Sequence, residues 1–267
     1  MKRYALIGHN ISYSLSGVIH RAVYDVCGID ATYEIISVEE SELDAFVEYA
    51  KRNLDGFNIT KPYKEKILPY LTDCTLKSVN TVVVKDGKLY GYSTDAYGFM
   101  RDIELNFGSV SGKALVLGAG GAGRVIASAL KQSGMDVYLN NRTEETGLRV
   151  ANELGVKFVT KGDVTPDFVV NCTSYGFNAG ENPALDGSGK MQINAREVKW
   201  VYDTIYSPPE TEFLKSFSSA KKANGYGMLI FQAVEADRIM CERKISEQQE
   251  KQIYELAMAR ITKGERS

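Results

Sequence analysis

A chain of 267 residues has room for one large domain or two modest ones, and 44% hydrophobic with 25% charged residues is the make-up of an ordinary soluble globular protein. A net charge of −2, with Lys and Arg gathered only into pairs such as Lys221-Lys222, gives no reason to expect nucleic acid or an anionic membrane as partner. No apolar run approaches a membrane span, and four scattered cysteines (Cys27, Cys74, Cys172, Cys241) with only His9 and His20 form no metal set, so free thiols in a reducing cytoplasm are expected.

The first residues are too short in apolar length for a signal peptide and read as a strand over 4–8. A polar turn over 10–16 leads to a helix over 18–27, with Val18, Ala22, Val23 and Val26 on one face. Residues 32–38 are rich in β-formers. Ser41 is expected to cap a helix reaching about residue 53, striped by Leu43, Phe46, Val47 and Ala50. A third strand spans 56–60, and Pro62 suits the first turn of a helix carrying Tyr63, Lys64, Ile67 and Leu68. Residues 81–84 and 88–92, joined at Asp86-Gly87, form a hairpin, which makes the sheet of this half a mixed one.

A helix over 95–107 and a Gly/Ser-rich linker over 108–112 precede a second strand–helix alternation. Its strands are expected at 113–117, 137–140, 157–160, 168–172 and 200–203, with a helix near 144–154, the rhythm of a doubly wound parallel sheet. Two final helices, about 229–242 and from Ser246 to about 262, have no evident place in that sheet and are expected to return to the first half. The expected organisation is therefore α/β with two domains. Residues 1–107 with 228–267 form a substrate-binding and catalytic domain, and residues 108–227 form a Rossmann-like dinucleotide domain.

The centre of the second half is Gly118-Ala119-Gly120-Gly121-Ala122-Gly123, which fits G-x-G-x-x-G between a strand and a helix. The first glycine permits the turn, the second lets backbone approach a pyrophosphate, and the third lets helix pack on strand. A glycine-rich turn with no ligand is the plainer alternative. At the end of the next strand, Asn140-Asn141-Arg142-Thr143 carries no Asp or Glu to bond a ribose 2′-hydroxyl. Arg142 offers a forked cation to a 2′-phosphate and Thr143 a further donor, so NADP is expected over NAD. The competing reading is a solvated Arg142 with Thr143 as a helix cap.

Three polar stretches of the first half could carry chemistry. Ser14 and Ser16, two apart, share a face in an extended segment and suit a carboxylate or diol, though serines before a helix are more often caps. Asn58 and Thr60 share a face in the same way, and Lys64 falls in the first turn of the next helix, where the dipole disfavours an ammonium. Lys61 and Lys64 are equally open to being solvated surface lysines. Asp95 is placed either to cap its helix or to pair with a lysine.

These motifs together resemble the shikimate dehydrogenase family over essentially the whole chain. The resemblance lies in Gly8, Ser14, Ser16 and His20; in Asn58, Thr60, Pro62 and Lys64; in Val79-Asn80-Thr81; and in Thr94-Asp95. It continues through the glycine turn, Asn141-Arg142-Thr143, Asn171-Cys172-Thr173, Asp203 with Tyr206-Ser207-Pro208, and Gly225-Tyr226-Gly227-Met228-Leu229 with Gln232. What it implies is an NADP-dependent oxidoreductase interconverting 3-dehydroshikimate and shikimate, with Lys64 and Asp95 as the catalytic pair. Ser14 and Ser16, with Tyr206, would hold the substrate carboxylate, and Asn58, Thr60, Asn80 and Gln232 would bond ring hydroxyls. Gly118, Ala119, Gly120, Gly121, Ala122, Gly123, Asn141, Arg142, Thr143, Thr173 and Gly225 would bind NADP. No metal is implied, and a monomer or homodimer is expected.

The sequence departs from the family pattern at Asn10, Tyr13 and Gly17, which flank the two serines, and at Ser93 and Ala96 beside Asp95. A reshaped serine loop keeps quinate and aminoshikimate open as substrates. A catalytically silent NADP-binding sensor is the alternative from another class.

Overall fold

The computed structural model describes residues 1–160, 164–178, 180–182 and 193–265. Its helices are α1 (Ser16–Cys27), α2 (Leu43–Asn53), α3 (Tyr63–Lys66), α4 (Asp95–Phe107), α5 (Gly121–Gln132), α6 (Glu144–Leu154), α7 (Glu212–Lys215), α8 (Tyr226–Met240) and α9 (Glu247–Thr262). The chain forms two compact units, Met1–Gly98 with Ile230–Ser267, and Phe99–Leu229.

The first unit is built on a mixed sheet of β1 (Lys2–Gly8), β2 (Ala31–Ser37), β3 (Gly56–Ile59), β4 (Thr81–Lys85) and β5 (Lys88–Tyr92) in the order β2-β1-β3-β4-β5. β1 pairs in parallel with β2 and β3, whereas β4 runs antiparallel to β3 and β5. The β4–β5 turn holds Asp86 and Gly87 at φ 52° and 71°, the left-handed pair that a two-residue hairpin demands. Ile7, Val47, Phe57, Ile59, Tyr63, Ile67 and Val82 fill the core beneath the sheet.

The last helices do belong to this unit. Arg260 of α9 pairs with Asp25 of α1 at 2.6 Å, and the Tyr4 hydroxyl donates to the Met240 carbonyl of α8 at 3.1 Å. Ser246 caps α9 in a reciprocal box with Gln249, as its position suggests. The start of α2 differs from expectation. A 3-10 turn over Glu40–Glu42 precedes it, and the reciprocal box joins Glu39 to Glu42, so Ser41 is not the cap.

Among its described residues the second unit has six strands: β6 (Lys113–Leu117), β7 (Asp136–Asn140), β8 (Lys157–Phe158), β9 (Phe168–Asn171), β10 (Trp200–Asp203) and β11 (Lys221–Asn224). All pair in parallel, in the order β11-β10-β9-β6-β7-β8. The strand order reverses between β6 and β9, and ligands of such sheets bind at the carboxyl ends around that point. Apolar clusters cover both faces, one around Val116, Ile126, Leu130 and Val170 and the other around Leu115, Val169, Phe213 and Phe217. β11 was not expected from its sequence, Lys-Lys-Ala-Asn, because this edge strand buries only Ala223 and so has no apolar run to read.

The sequence puts the first unit boundary at the 108–112 linker. The division falls instead after Gly98, because Phe99, Ile103 and Phe107 of α4 are buried in the second unit's core. The second boundary lies at Leu229, two residues beyond the expected 227.

Asp102 is 1% exposed on α4 and accepts from the Tyr202 hydroxyl at 2.6 Å, the Met228 N–H at 3.1 Å and Asn106 Nδ2 at 2.7 Å. Burial pushes its carboxyl up to about 6 against the opposing pull of those hydrogen bonds. The native state therefore binds a proton that the unfolded chain, titrating near 4, has already released. This contribution to stability is full below about pH 4 and is lost as pH rises through 6. Asp102→Asn is expected to shallow the fall in unfolding free energy between about pH 4 and 6, measured by urea titration at each pH. Asp203, also raised to about 6 by burial, keeps part of that fall in the variant. An unchanged slope would count against Asp102 as a source.

Candidate active site

In the first unit, the end of β3 and the loop after it deliver Asn58, Thr60 and Lys64. α3 is only one turn long, ending at Lys66; Ile67 is its C-cap and Leu68 opens an adjoining 3-10 turn over Leu68–Tyr70, so neither lies in the helix expected to carry them. Pro62 is its N-cap rather than its first helical residue. So short a helix has little macrodipole, and the environment of Lys64 is set instead by a carboxylate. Lys64 Nζ donates to Asp95 Oδ2 at 2.6 Å, with the two side chains 29% and 16% exposed. Lys61 is exposed.

Asp95 opens α4, and its other oxygen accepts from Asn80 Nδ2 at 2.9 Å. Asn80, just before β4, is itself buried. Its Oδ1 accepts from the Thr94 N–H at 2.9 Å and the Thr81 hydroxyl at 3.2 Å, while Nδ2 also faces Thr94 Oγ1 at 2.9 Å and Gln232 Oε1 at 3.2 Å. Asn58 is buried as well, donating from Nδ2 to the Asn80 carbonyl at 3.2 Å and Thr81 Oγ1 at 3.0 Å. The fold thus joins Lys64, Asp95, Asn80, Gln232 and Asn58 in one hydrogen-bonded group drawn from β3, α4, α8 and the β3–β4 connection. The Lys64 ammonium has three N–H donors and Asp95 engages one, so donors remain for a partly exposed ligand oxygen.

Ser14 and Ser16 lie side by side at the start of α1. Ser14 Oγ donates to Ser16 Oγ at 3.1 Å and accepts from the Ser16 N–H at 3.2 Å. The N-cap residue is Leu15, with no side-chain cap bond, so neither serine caps the helix in the usual way. Asn10 has φ 51° and its N–H donates to Ser37 Oγ at 3.0 Å. Asn10 is one of the departures from the family pattern, and a proline, fixed near −65°, could not adopt its backbone.

In the second unit, Gly118 has φ 103°, and a Cβ on Gly123 would stand 1.9 Å from the Gly118 carbonyl oxygen, which shuts out any side chain. Gly120 is the N-cap of α5, whose first turn over Gly121, Ala122 and Gly123 holds no acidic residue, and a Cβ at Gly120 or Gly121 would meet nothing. Ala119 donates its N–H to Asn141 Oδ1 at 3.0 Å, and Asn141 Nδ2 donates to the Thr143 carbonyl at 2.9 Å. Asn141 therefore ties the glycine turn to the end of β7. Arg142 and Thr143 are exposed there, and Thr143, although the N-cap of α6, makes no side-chain cap bond. Asp136, the nearest upstream carboxylate, pairs with Lys157 at 2.8 Å.

The loops after β9 and β10 are held by Asp203, 0% exposed, which accepts from Asn171 Nδ2 at 2.9 Å, the Ile205 N–H at 3.0 Å and the Thr211 hydroxyl at 2.6 Å. Asn171 Oδ1 in turn accepts from the Thr173 hydroxyl at 2.7 Å. Tyr206 belongs to this unit, its ring centroid 5.1 Å from that of Tyr226, and Gly225 links β11 directly to α8. A twelve-residue helix pointing an unblocked, acid-free N-terminus past an open glycine turn, with Arg142 at the end of β7, suits a dinucleotide carrying a 2′-phosphate.

A family model for the shikimate dehydrogenase substrate binding domain matches residues 6–82. The NADP(+) shikimate dehydrogenase of Clostridium perfringens (ATCC 13124) is 33% identical over 96% of this chain and 98% of its own length. The chain belongs to the shikimate dehydrogenase family. Another shikimate dehydrogenase, from Caldicellulosiruptor saccharolyticus, is 36% identical over 90% of this chain and 92% of its own. The crystal structure of shikimate 5-dehydrogenase from Thermus thermophilus in complex with NADP(H) and shikimate superposes with a TM-score of 0.84 at 31% identity, covering 97% of this chain and 99% of that one.

Some parts of the candidate site were not legible in the sequence. Tyr33 donates to Asn58 Oδ1 at 2.9 Å, yet in the sequence it is one β-former among several in β2. Asn171 and Asp203 stand within recognised motifs, but their buried bridging between two loops depends on β9 and β10 being neighbours.

Proposed function

We propose that the protein catalyses the reversible, NADP-dependent reduction of 3-dehydroshikimate to shikimate. The observation that carries this reading is the Lys64–Asp95 pair at 2.6 Å, braced by Asn80, in a chain 33% identical over nearly its full length to an NADP(+) shikimate dehydrogenase. Bound NADPH supplies the hydride for the C3 carbonyl. Lys64 donates a proton to the carbonyl oxygen as that oxygen gains charge, and Asp95 keeps the ammonium aimed. In oxidation the same lysine accepts the hydroxyl proton.

Ser14 and Ser16 hold the substrate carboxylate through paired hydroxyls and the free N–H groups of α1. Asn58, Thr60, Asn80 and Gln232 surround the ring hydroxyls. The backbone N–H groups of Gly118, Ala119, Gly120, Gly121, Ala122 and Gly123 hold the pyrophosphate, Arg142 and Thr143 the 2′-phosphate, and Asn141, Thr173 and Gly225 shape the remaining contacts. We place the enzyme in the cytoplasm, where its four free cysteines stay reduced.

The left-handed backbone at Asn10 supports a second reading, a relative preferring quinate or an aminoshikimate, since that loop leads to the carboxylate-binding serines. The test follows the NADPH absorbance band with shikimate, then with quinate. Turnover with the higher kcat/KM for shikimate is expected. A preference for quinate overturns the substrate, and no turnover with NADP binding intact overturns the enzyme in favour of a sensor.

A further inference from the structure

His20 Nδ1 and Asp237 Oδ2 are hydrogen-bonded at 2.8 Å, with side chains 1% and 0% exposed, and the mechanism above uses neither. Burying such a pair is a weak source of stability, because desolvating both partners offsets their attraction. The cost is raised further by His20 Nε2, which is buried with no hydrogen-bond partner among the described residues. What the pair does achieve is geometric. Nδ1 donating to Asp237 Oδ2 fixes the plane of the imidazole, and that plane stacks on the Tyr33 ring with centroids 3.9 Å apart and 13° between planes.

Tyr33, so oriented, donates its hydroxyl to Asn58 Oδ1 at 2.9 Å. Asn58 Nδ2 spends its two protons on the Asn80 carbonyl and Thr81 Oγ1. With both N–H donors engaged, only the second lone pair of Oδ1 is left to meet a ligand. The chain of contacts runs from Asp237 on α8 through α1, β2 and β3 to Asn80, which faces Gln232 on α8 again.

We propose that Tyr33, held by the His20–Asp237 pair, is a positioning residue that fixes the Asn58 amide so that Asn58 meets the substrate as an acceptor of a ring hydroxyl proton. This rests on the reading of Asn58 as a substrate-binding residue. Without the Tyr33 hydroxyl, Oδ1 loses the donor that steadies it, and the amide is held through its nitrogen by the Asn80 carbonyl and Thr81 Oγ1.

Tyr33→Phe removes that hydroxyl and keeps the ring stack. By titration calorimetry, the shikimate Kd is expected to rise about five- to tenfold, the loss of one oriented hydrogen bond, while kcat and the NADP Kd stay within about twofold. In the free enzyme, the side-chain amide protons of Asn58 are expected to be separate and slow to exchange by NMR, and to broaden or merge in the variant. His20→Leu, which withdraws the stacking face, is expected to weaken shikimate binding similarly, with no further loss on adding Tyr33→Phe. An unchanged shikimate Kd in Tyr33→Phe, or an equal weakening of shikimate and NADP, overturns the proposal and leaves Tyr33 a packing residue. Failure of the wild-type protein to bind shikimate overturns the functional reading instead, and the Asn58 amide signals still decide the role of Tyr33.

Discussion

Lys64→Ala is expected to lower kcat by about 10²–10⁴ in both directions while the shikimate Kd changes far less, because general acid–base help of that size rests on one positioned proton donor. The geometry makes this specific. Lys64 is the cation paired to Asp95, and Lys61, three residues earlier, is exposed outside the hydrogen-bonded group. Lys61→Ala is therefore the matched control and is expected to leave kcat within about twofold. The bond between Asp95 and Asn80, 2.9 Å in the wild-type chain, does not involve Lys64, so the walls of the proposed substrate site are expected to persist in the variant and binding to survive. Steady-state kinetics paired with direct measurement of shikimate binding separate the two effects. A near-normal kcat in Lys64→Ala would remove the lysine from proton transfer.

Arg142→Ala is expected to weaken NADP binding about 10- to 100-fold and leave NAD binding nearly unchanged, the range expected for losing charge-assisted bonds to a phosphate. Arg142 is exposed, and the first turn of α6 beside it carries Glu144 and Glu145, which oppose a phosphate. The wild-type preference should therefore shrink as salt rises, since exposed charges are screened over about 8–10 Å. Fluorescence titration of NADP and NAD at two ionic strengths measures both effects. Equal Kd values for NADP in variant and wild type would identify Arg142 as a solvated surface residue.

Much of the architecture was readable because it depends on short-range rules. The glycine turn needs small residues at set intervals, and Gly123 with its blocked Cβ shows why the third position tolerates nothing else. The hairpin at Asp86-Gly87 announced its left-handed turn, and the box at Ser246 and Gln249 announced α9. The return of the last helices was legible from the lack of any place for them in a doubly wound sheet. Where local signals competed, reading failed. Ser41 is a better cap by residue type than Glu39, but the reciprocal Glu39–Glu42 bonds start the helix earlier with a 3-10 turn. Pro62 and Lys64 suggested a longer helix than the single turn that forms before the chain turns again at Leu68.

By itself, the sequence determined that a glycine-rich turn precedes a helix, that the end of β7 carries Arg142 in place of a carboxylate, and that Lys64 and Asp95 were available for chemistry. Each of these follows from residue type and spacing within a few positions of the chain. Only the tertiary structure decided that Lys64 and Asp95 touch, that Asn80 braces the carboxylate from the other side, and that His20, Asp237 and Tyr33 orient Asn58. The hydrogen bonds among them join residues from 15 to 217 positions apart. Hydrogen bonds between such distant groups are set by strand order and helix packing, which no local pattern in the chain encodes.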